Sequence, residues 1–402
     1  MAKFMLGRTL VGVAALGLAL TACSTDDSET TASGEASASA RPSNCPTTPA
    51  PQGAAGAGAG APSGMPSGAP SGAPGGAGAG NQLPIASTVA KPHTTNSKVI
   101  SATGPQIECG GTEVETHNDI VYSTPSTNGK KTELKLDLTV PKTDGAKPLV
   151  VYIPGGGFLT AQKEQGLNRR TYIAEQDYVV ASVHYRTTTD GATYVDGLAD
   201  VKSAIRYLRA HADEYHIDPD QVAVWGDSAG GYLAAMAGTT GGVKKFDVGD
   251  NLDQSSKVQA VIDDFGPANL SRIGADFDDK TEQANLTAGN MTAKWVYGPD
   301  TKKSVAAYTD QVKAADPATY ADADDPAFLL YHGDQDRLVS PSQTLALNNT
   351  LLAKGVDSTR YIITGAGHGD GAVGMPASMT EPWTTRKVVD QLVGFLDDHL
   401  GS

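Results

Sequence analysis

The residues point to an α/β fold: a mostly parallel sheet with helices on both faces and a small cap insertion. Short, continuous apolar runs recur from residue 118 onward, and amphipathic helical stretches separate them. One such run leads through a glycine-flanked serine straight into a helix former. Runs that are apolar throughout, rather than at alternate positions, suit strands buried on both faces.

The chain divides into three parts. Residues 1–22 read as a secretion signal, with Lys3 and Arg8 as the positive start, an apolar core from Leu10 to Leu20, and small residues after it. That core is too short to anchor stably across a bilayer. Leu20-Thr21-Ala22-Cys23 resembles the lipobox of bacterial lipoproteins, which implies that Cys23 becomes the acylated first residue of an exported chain. An ordinary signal peptide cut near a cysteine is the alternative. Residues 23–94 are Ala, Gly, Ser and Pro almost throughout, with Pro-Ser-Gly recurring at Pro62, Pro66 and Pro70. Such a composition buries no core and reads as a disordered tether. Residues 95–402 suit a single α/β domain.

In an exported protein Cys45 and Cys109 could pair, closing a loop worth on the order of 4 kcal/mol in the chain-entropy model. Two separate thiols are equally compatible with the sequence. The net charge is −14, and losing Lys3 and Arg8 makes it more negative still. That balance argues against nucleic acid or an anionic membrane surface as a partner. A lipid anchor at Cys23 remains the expected link to the membrane.

In chain order, strands are expected at 133–140, 149–153 and 178–183. A helix follows with Val195, Leu198, Val201, Ile205 and Leu208 on its inner face. Further strands are expected at 222–225 and 258–262. Residues 264–325 then break the rhythm with Asp, Gly, Pro and Asn around Phe265, Phe277, Trp295 and Tyr297. They read as a cap over the carboxyl ends of the strands, with an irregular excursion away from the site as the alternative. The strand at 327–331, a helix at 344–354 stopped by Gly355, the strand at 359–363 and a helix at 386–400 complete the chain. The last helix turns Val388, Val389, Leu392, Phe395 and Leu396 inward.

The chemistry concentrates at Gly226-Asp227-Ser228-Ala229-Gly230, followed by Gly231. It lies between the apolar run Val222-Ala223-Val224-Trp225 and the helix former Tyr232-Leu233-Ala234-Ala235-Met236. A serine with glycines two residues away on either side, between strand and helix, is the nucleophile-elbow pattern. The turn strains the serine backbone, and side chains at Gly226 and Gly230 would collide with the flanking strand and helix. It also leaves the Ala229 N–H, at the helix N-terminus, facing developing negative charge.

A serine hydroxyl needs a base, usually an imidazole held by a carboxylate. Three histidines follow Ser228. His399 lies inside the last helix and His332 ends a strand, where it serves locally. His368 lies in the loop Gly365-Ala366-Gly367-His368-Gly369 after the last strand, which can carry an imidazole over the end of the sheet. Asp334 and Asp336 both follow the preceding strand. Asp336 is preferred, one turn beyond the strand and before Leu338-Val339, with Asp334 accepting backbone N–H groups inside the turn. Pro154-Gly155-Gly156-Gly157-Phe158, after the run 149–153, supplies the remaining need. The N–H groups of Gly156 and Gly157, with that of Ala229, are candidate oxyanion donors. A phosphate-cradling loop is the rival reading, but no Lys-Ser/Thr follows these glycines.

Taken together, Pro154-Gly155-Gly156-Gly157-Phe158, Gly226-Asp227-Ser228-Ala229-Gly230-Gly231, His332-Gly333-Asp334-Gln335-Asp336 and Gly367-His368-Gly369 resemble the motifs of α/β-hydrolase-fold carboxylesterases. The nearest groups are the hormone-sensitive-lipase-like esterases and bacterial feruloyl- and acetyl-esterase-like enzymes. Tyr185-Arg186, the segment 200–208 and Phe265-Gly266-Pro267 strengthen the likeness, which covers residues 115–400. It implies Ser228, Asp336 and His368 as a catalytic triad, no metal and no organic cofactor. It also implies an ester of a small molecule or polysaccharide, with a short acyl or aryl acid group, as substrate. One departure stands out: the family usually has His where this chain has Pro154, and proline offers neither ring nitrogen nor N–H. Two other functions are compatible with the residues. One is a serine peptidase resembling prolyl oligopeptidases, although a tether here replaces their usual propeller. The other is a non-catalytic binding lipoprotein on a hydrolase scaffold.

Overall fold

In a computed structural model, residues 44–48, 84–89, 94–101, 103–369 and 377–401 are described. The expected signal segment 1–22, the acylation site Cys23 and most of the 23–94 tether lie outside the described residues. In chain order the elements are β1 (Lys98–Ser101), β2 (Val114–Ser123), a small hairpin of β3 (Ser126–Thr127) and β4 (Lys130–Lys131), β5 (Leu134–Pro141), β6 (Lys147–Ile153), α1 (Leu167–Ala174) and β7 (Val179–Val183). Then come α2 (Tyr194–Ala210), β8 (Ile217–Asp227), α3 (Ala229–Thr239), β9 (Ala260–Asp264), α4 (Asp279–Asn285), α5 (Met291–Tyr297) and α6 (Asp310–Lys313). The chain ends with β10 (Ala327–Gly333), α7 (Ser342–Ala353), β11 (Ser358–Thr364), α8 (Ala377–Thr380) and α9 (Arg386–Leu400).

Among the described residues, nine strands form one sheet in the order β1-β11-β10-β9-β8-β6-β7-β5-β2. All neighbours from β1 through β7 pair in parallel, whereas β5 and β2 add antiparallel strands at one edge. Parallel pairing brings the carboxyl ends of β6, β8, β9, β10 and β11 to one rim, where open α/β sheets carry their ligands. The apolar runs divide between two cores. Leu149, Val151 and Ile153 face α2 and α3, while Val150 and Tyr152 face the side of α1 and α9. Both faces being covered explains why these strands lack polar alternation.

All seven strands expected from the sequence are present. The inner face of α2 holds Leu198, Val201, Ile205 and Leu208, but Val195 departs from expectation at 40 % exposed. Tyr194 takes the buried place, because four residues return closer to one helix face than three do. The short edge strand β1 has one buried residue, Ile100, and so carries no periodic signal. Helix α1 was not expected either, since its buried face includes Arg169 and Arg170 instead of an apolar stripe.

Cys45 and Cys109 form a disulfide over a sequence separation of 64. Cys109 lies between β1 and β2 rather than on the first strand, because its loop clasps α1. The Gly110 and Gly111 N–H groups donate to the Glu175 carboxylate, at 2.8 and 3.0 Å, at the end of that helix. Asn44 and Cys109 exchange two further hydrogen bonds. Cys109→Ser is expected to lower the unfolding free energy by up to about 4 kcal/mol. A reduced urea midpoint should show it, and wild-type protein in dithiothreitol should shift equally; coincident curves in all three samples would refute it.

Candidate active site

Strand β8 ends at Asp227 and α3 begins at Ala229, leaving Ser228 alone in the turn with φ 54° and ψ −117°. A non-glycine residue keeps such a conformation only where its surroundings impose it. Here the Ser228 N–H donates to the Asp264 carbonyl (2.8 Å), and the Ser228 carbonyl accepts from the Tyr232 N–H (3.0 Å). The glycines are steric necessities. A Cβ on Gly226 would lie 2.3 Å from the Gly230 carbonyl oxygen, and one on Gly230 would lie 1.9 Å from that of Ile153. Beneath the turn, Asp263 accepts the Gly266 N–H at 2.7 Å, and burial pushes its carboxyl up to about 7.

The loop after β11 brings His368 to this serine. Its Nε2 lies 2.9 Å from Ser228 Oγ, and its Nδ1 lies 2.7 Å from Asp336 Oδ2. All three side chains are buried. The other carboxylate oxygen of Asp336 accepts the N–H groups of Leu338 (2.9 Å) and Val339 (3.0 Å). Burial alone would raise the Asp336 pKa, but the imidazoles of His368 and His332 hold it well below the usual carboxylate range. His332 is the unexpected member: its Nε2 is 3.3 Å from Asp336 Oδ2, while Nδ1 faces Thr344 Oγ1 at 3.0 Å. Asp334 does accept a backbone N–H, but from Gly365 (2.7 Å) in the following loop and not from its own turn. His399 sits on α9, 3.8 Å from Asp357.

Phe265 was expected in the cap, yet it lies in the core. Its N–H donates to the Tyr331 carbonyl (2.8 Å), which carries the β9 ladder one residue further. The ring then meets the His368 imidazole edge-on, with centroids 4.6 Å apart, and Trp383 at the same distance. Trp383 Nε1 donates to the Gly367 carbonyl (3.2 Å), so two aromatic rings fix the loop that carries the imidazole.

Opposite lies the glycine loop after β6. Gly156 and Gly157 have φ of 144° and 60°, values that favour glycine. Among the described residues, no acceptor bonds the N–H groups of Gly156, Gly157 or Ala229. A Cβ on Gly155 would lie 3.3 Å from that of Ser228, so this loop and the serine are in close approach. With Pro154 where an imidazole would help, other groups hold the loop. The Tyr185 hydroxyl donates to the Pro154 carbonyl (2.9 Å), and the Gly156 carbonyl accepts from Leu159 and Thr160. Phe158 stacks on Trp295 with centroids 4.9 Å apart, and the Met291 sulfur lies 3.3 Å from a Cβ built on Gly157. Helix α5, within the 264–325 segment, therefore packs on the glycine loop. Among the described residues, no group of three or more His, Cys, Asp or Glu could hold a metal ion.

A family model, BD-FAE, matches residues 136–351, which is more than half of the chain and includes Ser228 and Asp336. The "Probable carboxylic ester hydrolase LipM" of Mycobacterium tuberculosis is 31% identical over 209 residues, covering 52% of this chain and 44% of that protein. The "Esterase LipC" of the same organism is 26% identical, covering 55% of this chain and 53% of its own length. The chain thus spans about half the length of these curated relatives. Among solved structures, a truncated carbohydrate esterase from gut microbiota superposes with a TM-score of 0.58 at 24% identity. That match covers 71% of this chain and 95% of the other, and it shows the α/β-hydrolase fold.

Proposed function

This chain belongs to the BD-FAE family and has the α/β-hydrolase fold, and from that premise we propose that it hydrolyses carboxylic esters through an acyl-enzyme. One observation carries the reading: the hydrogen-bonded line from Ser228 Oγ through His368 to Asp336, at 2.9 and 2.7 Å. In the proposed reaction His368 Nε2 takes the hydroxyl proton as Ser228 Oγ attacks the ester carbonyl. The ionised Asp336 holds Nδ1–H and stabilises the imidazolium. The N–H groups of Gly156, Gly157 and Ala229 receive the oxyanion. His368 then gives its proton to the departing alcohol, and a water molecule repeats the sequence to release the acid.

The proposed acyl group is short or aryl. Met291, Phe158 and Trp295 crowd the glycine loop, which favours a compact or flat group beside the oxyanion donors. The segment 264–325 is proposed as the cap that supplies this wall. An address outside the cell, with an acylated Cys23 as anchor, is a further part of the proposal. The disulfide between Cys45 and Cys109 supports an oxidising compartment.

A fluorophosphonate probe tests the reading. It should modify wild-type protein on the peptide containing Ser228, in step with loss of turnover on a short p-nitrophenyl ester. Failure to label, or labelling elsewhere, would point to a binding scaffold. Cleavage of aminoacyl-proline amides without ester turnover would point to a peptidase.

A further inference from the structure

A buried arginine lies beneath the nucleophile elbow. Helix α1 delivers Arg169, whose Nη1 lies 2.7 Å from Asp264 Oδ2 and whose Nη2 lies 3.5 Å from Asp227 Oδ1. The guanidinium centre sits 4.8 Å from the centroid of the Trp225 ring. Each carboxylate has a second donor: Trp225 Nε1 bonds Asp264 (2.8 Å), and the Tyr152 hydroxyl bonds Asp227 (2.9 Å). These two aspartates bracket the strained serine. Asp227 precedes it in the chain, and the Asp264 carbonyl accepts its N–H.

We infer that Arg169 is a positioning residue for Ser228, holding the serine's attack geometry through Asp227 and Asp264; this rests on Ser228 being the nucleophile. The elbow keeps a left-handed backbone only because its neighbours are fixed. One guanidinium fixes both of them from below, where β8 and β9 end side by side. A planar fork suits the task, since it reaches two carboxylates while lying over an indole, which an ammonium does not. Without it the buried carboxylate of Asp264 and the partly buried one of Asp227 would repel each other and turn away. The helix that carries Arg169 is itself anchored, since Glu175 at its end is held by Gly110 and Gly111 beside the disulfide.

The test compares wild-type full chain with Arg169→Lys and Arg169→Met. A chromogenic phosphonate titrates competent serines, and kcat per titrated site and KM are then measured on p-nitrophenyl acetate. Displacing the hydroxyl by about an ångström should lower kcat per site by about 10- to 100-fold, with KM changed by less than about threefold. Arginine serving stability alone would lower the melting temperature and the number of titratable sites, yet leave kcat per site at the wild-type value. That result overturns the inference. Should neither variant fold, Tyr152→Phe loosens Asp227 from its other side, and an unchanged kcat per site there overturns it too. Ser228→Ala belongs in the same series. If it retains turnover, the nucleophile reading falls and this inference with it; if it is inactive while kcat per site in the Arg169 variants is unchanged, only the inference falls.

Discussion

Ser228→Ala is expected to lower kcat on p-nitrophenyl acetate by about a million-fold while leaving the fold intact. The hydroxyl is the atom that forms the acyl bond, so its loss removes the covalent step altogether. The oxyanion donors and substrate binding remain and leave roughly 10³–10⁴-fold over water. Stability should change little. The Cβ stays in place, the backbone bonds to Asp264 and Tyr232 do not involve the side chain, and among the described residues Oγ pairs with His368. Matching circular dichroism and melting curves, together with loss of turnover, would meet the expectation. Turnover above about a thousandth of wild type in the purified variant would contradict it.

How much of this was legible in the sequence follows from which groups lie near one another along the chain. The seven predicted strands rest on local apolar runs, and local runs decide burial on both sheet faces. Ser228 was legible because two glycines, a strand and a helix all sit within a few residues of it. Asp336 and His368 were legible only through their places after successive strands, a matter of topology rather than distance. What escaped notice depends on contacts between remote segments. Arg169 and Asp264 are 95 residues apart, and nothing local marks an arginine in a short helix as buried. His332 is the exception: it serves locally, as its place at a strand end suggests, with Asp336, Val339 and Thr344 as partners no more than twelve residues away. Phe265 looked like part of a cap because proline and glycine follow it, but one more backbone hydrogen bond keeps it in the sheet. Val195 went astray for a smaller reason, a difference of one residue in the first turn of α2.

The glycine loop shows how a missing residue is replaced physically. Proline at position 154 gives up a ring nitrogen that could brace the loop from within. The brace comes instead from Tyr185 on the Pro154 carbonyl and from the stacked pair Phe158 and Trp295. Trp295 fits because Gly197 of α2 leaves room, as a Cβ there would lie 2.6 Å from the indole. The loop is thus held by a partner from the 264–325 segment, so changes in that segment reach the proposed oxyanion donors as well as the acyl wall.

Asp336→Asn is expected to lower kcat by about ten-thousand-fold with little change in KM. The carboxylate oxygen that takes the Leu338 and Val339 N–H groups is replaced without loss by the amide oxygen of asparagine. The amide nitrogen then occupies the place of the oxygen 2.7 Å from His368 Nδ1 and 3.3 Å from His332 Nε2. It can only donate. His368 must therefore accept at Nδ1 and carry its proton on Nε2, toward Ser228, where it can no longer take the hydroxyl proton. The wild-type carboxylate avoids this, because two imidazoles hold its pKa low and keep it ionised at neutral pH. Phosphonate labelling of Ser228 should slow in parallel with kcat, since both need the same deprotonation. If labelling and turnover both stay within about tenfold of wild type, then Asp336 does not set the tautomer and the proposed division of roles fails.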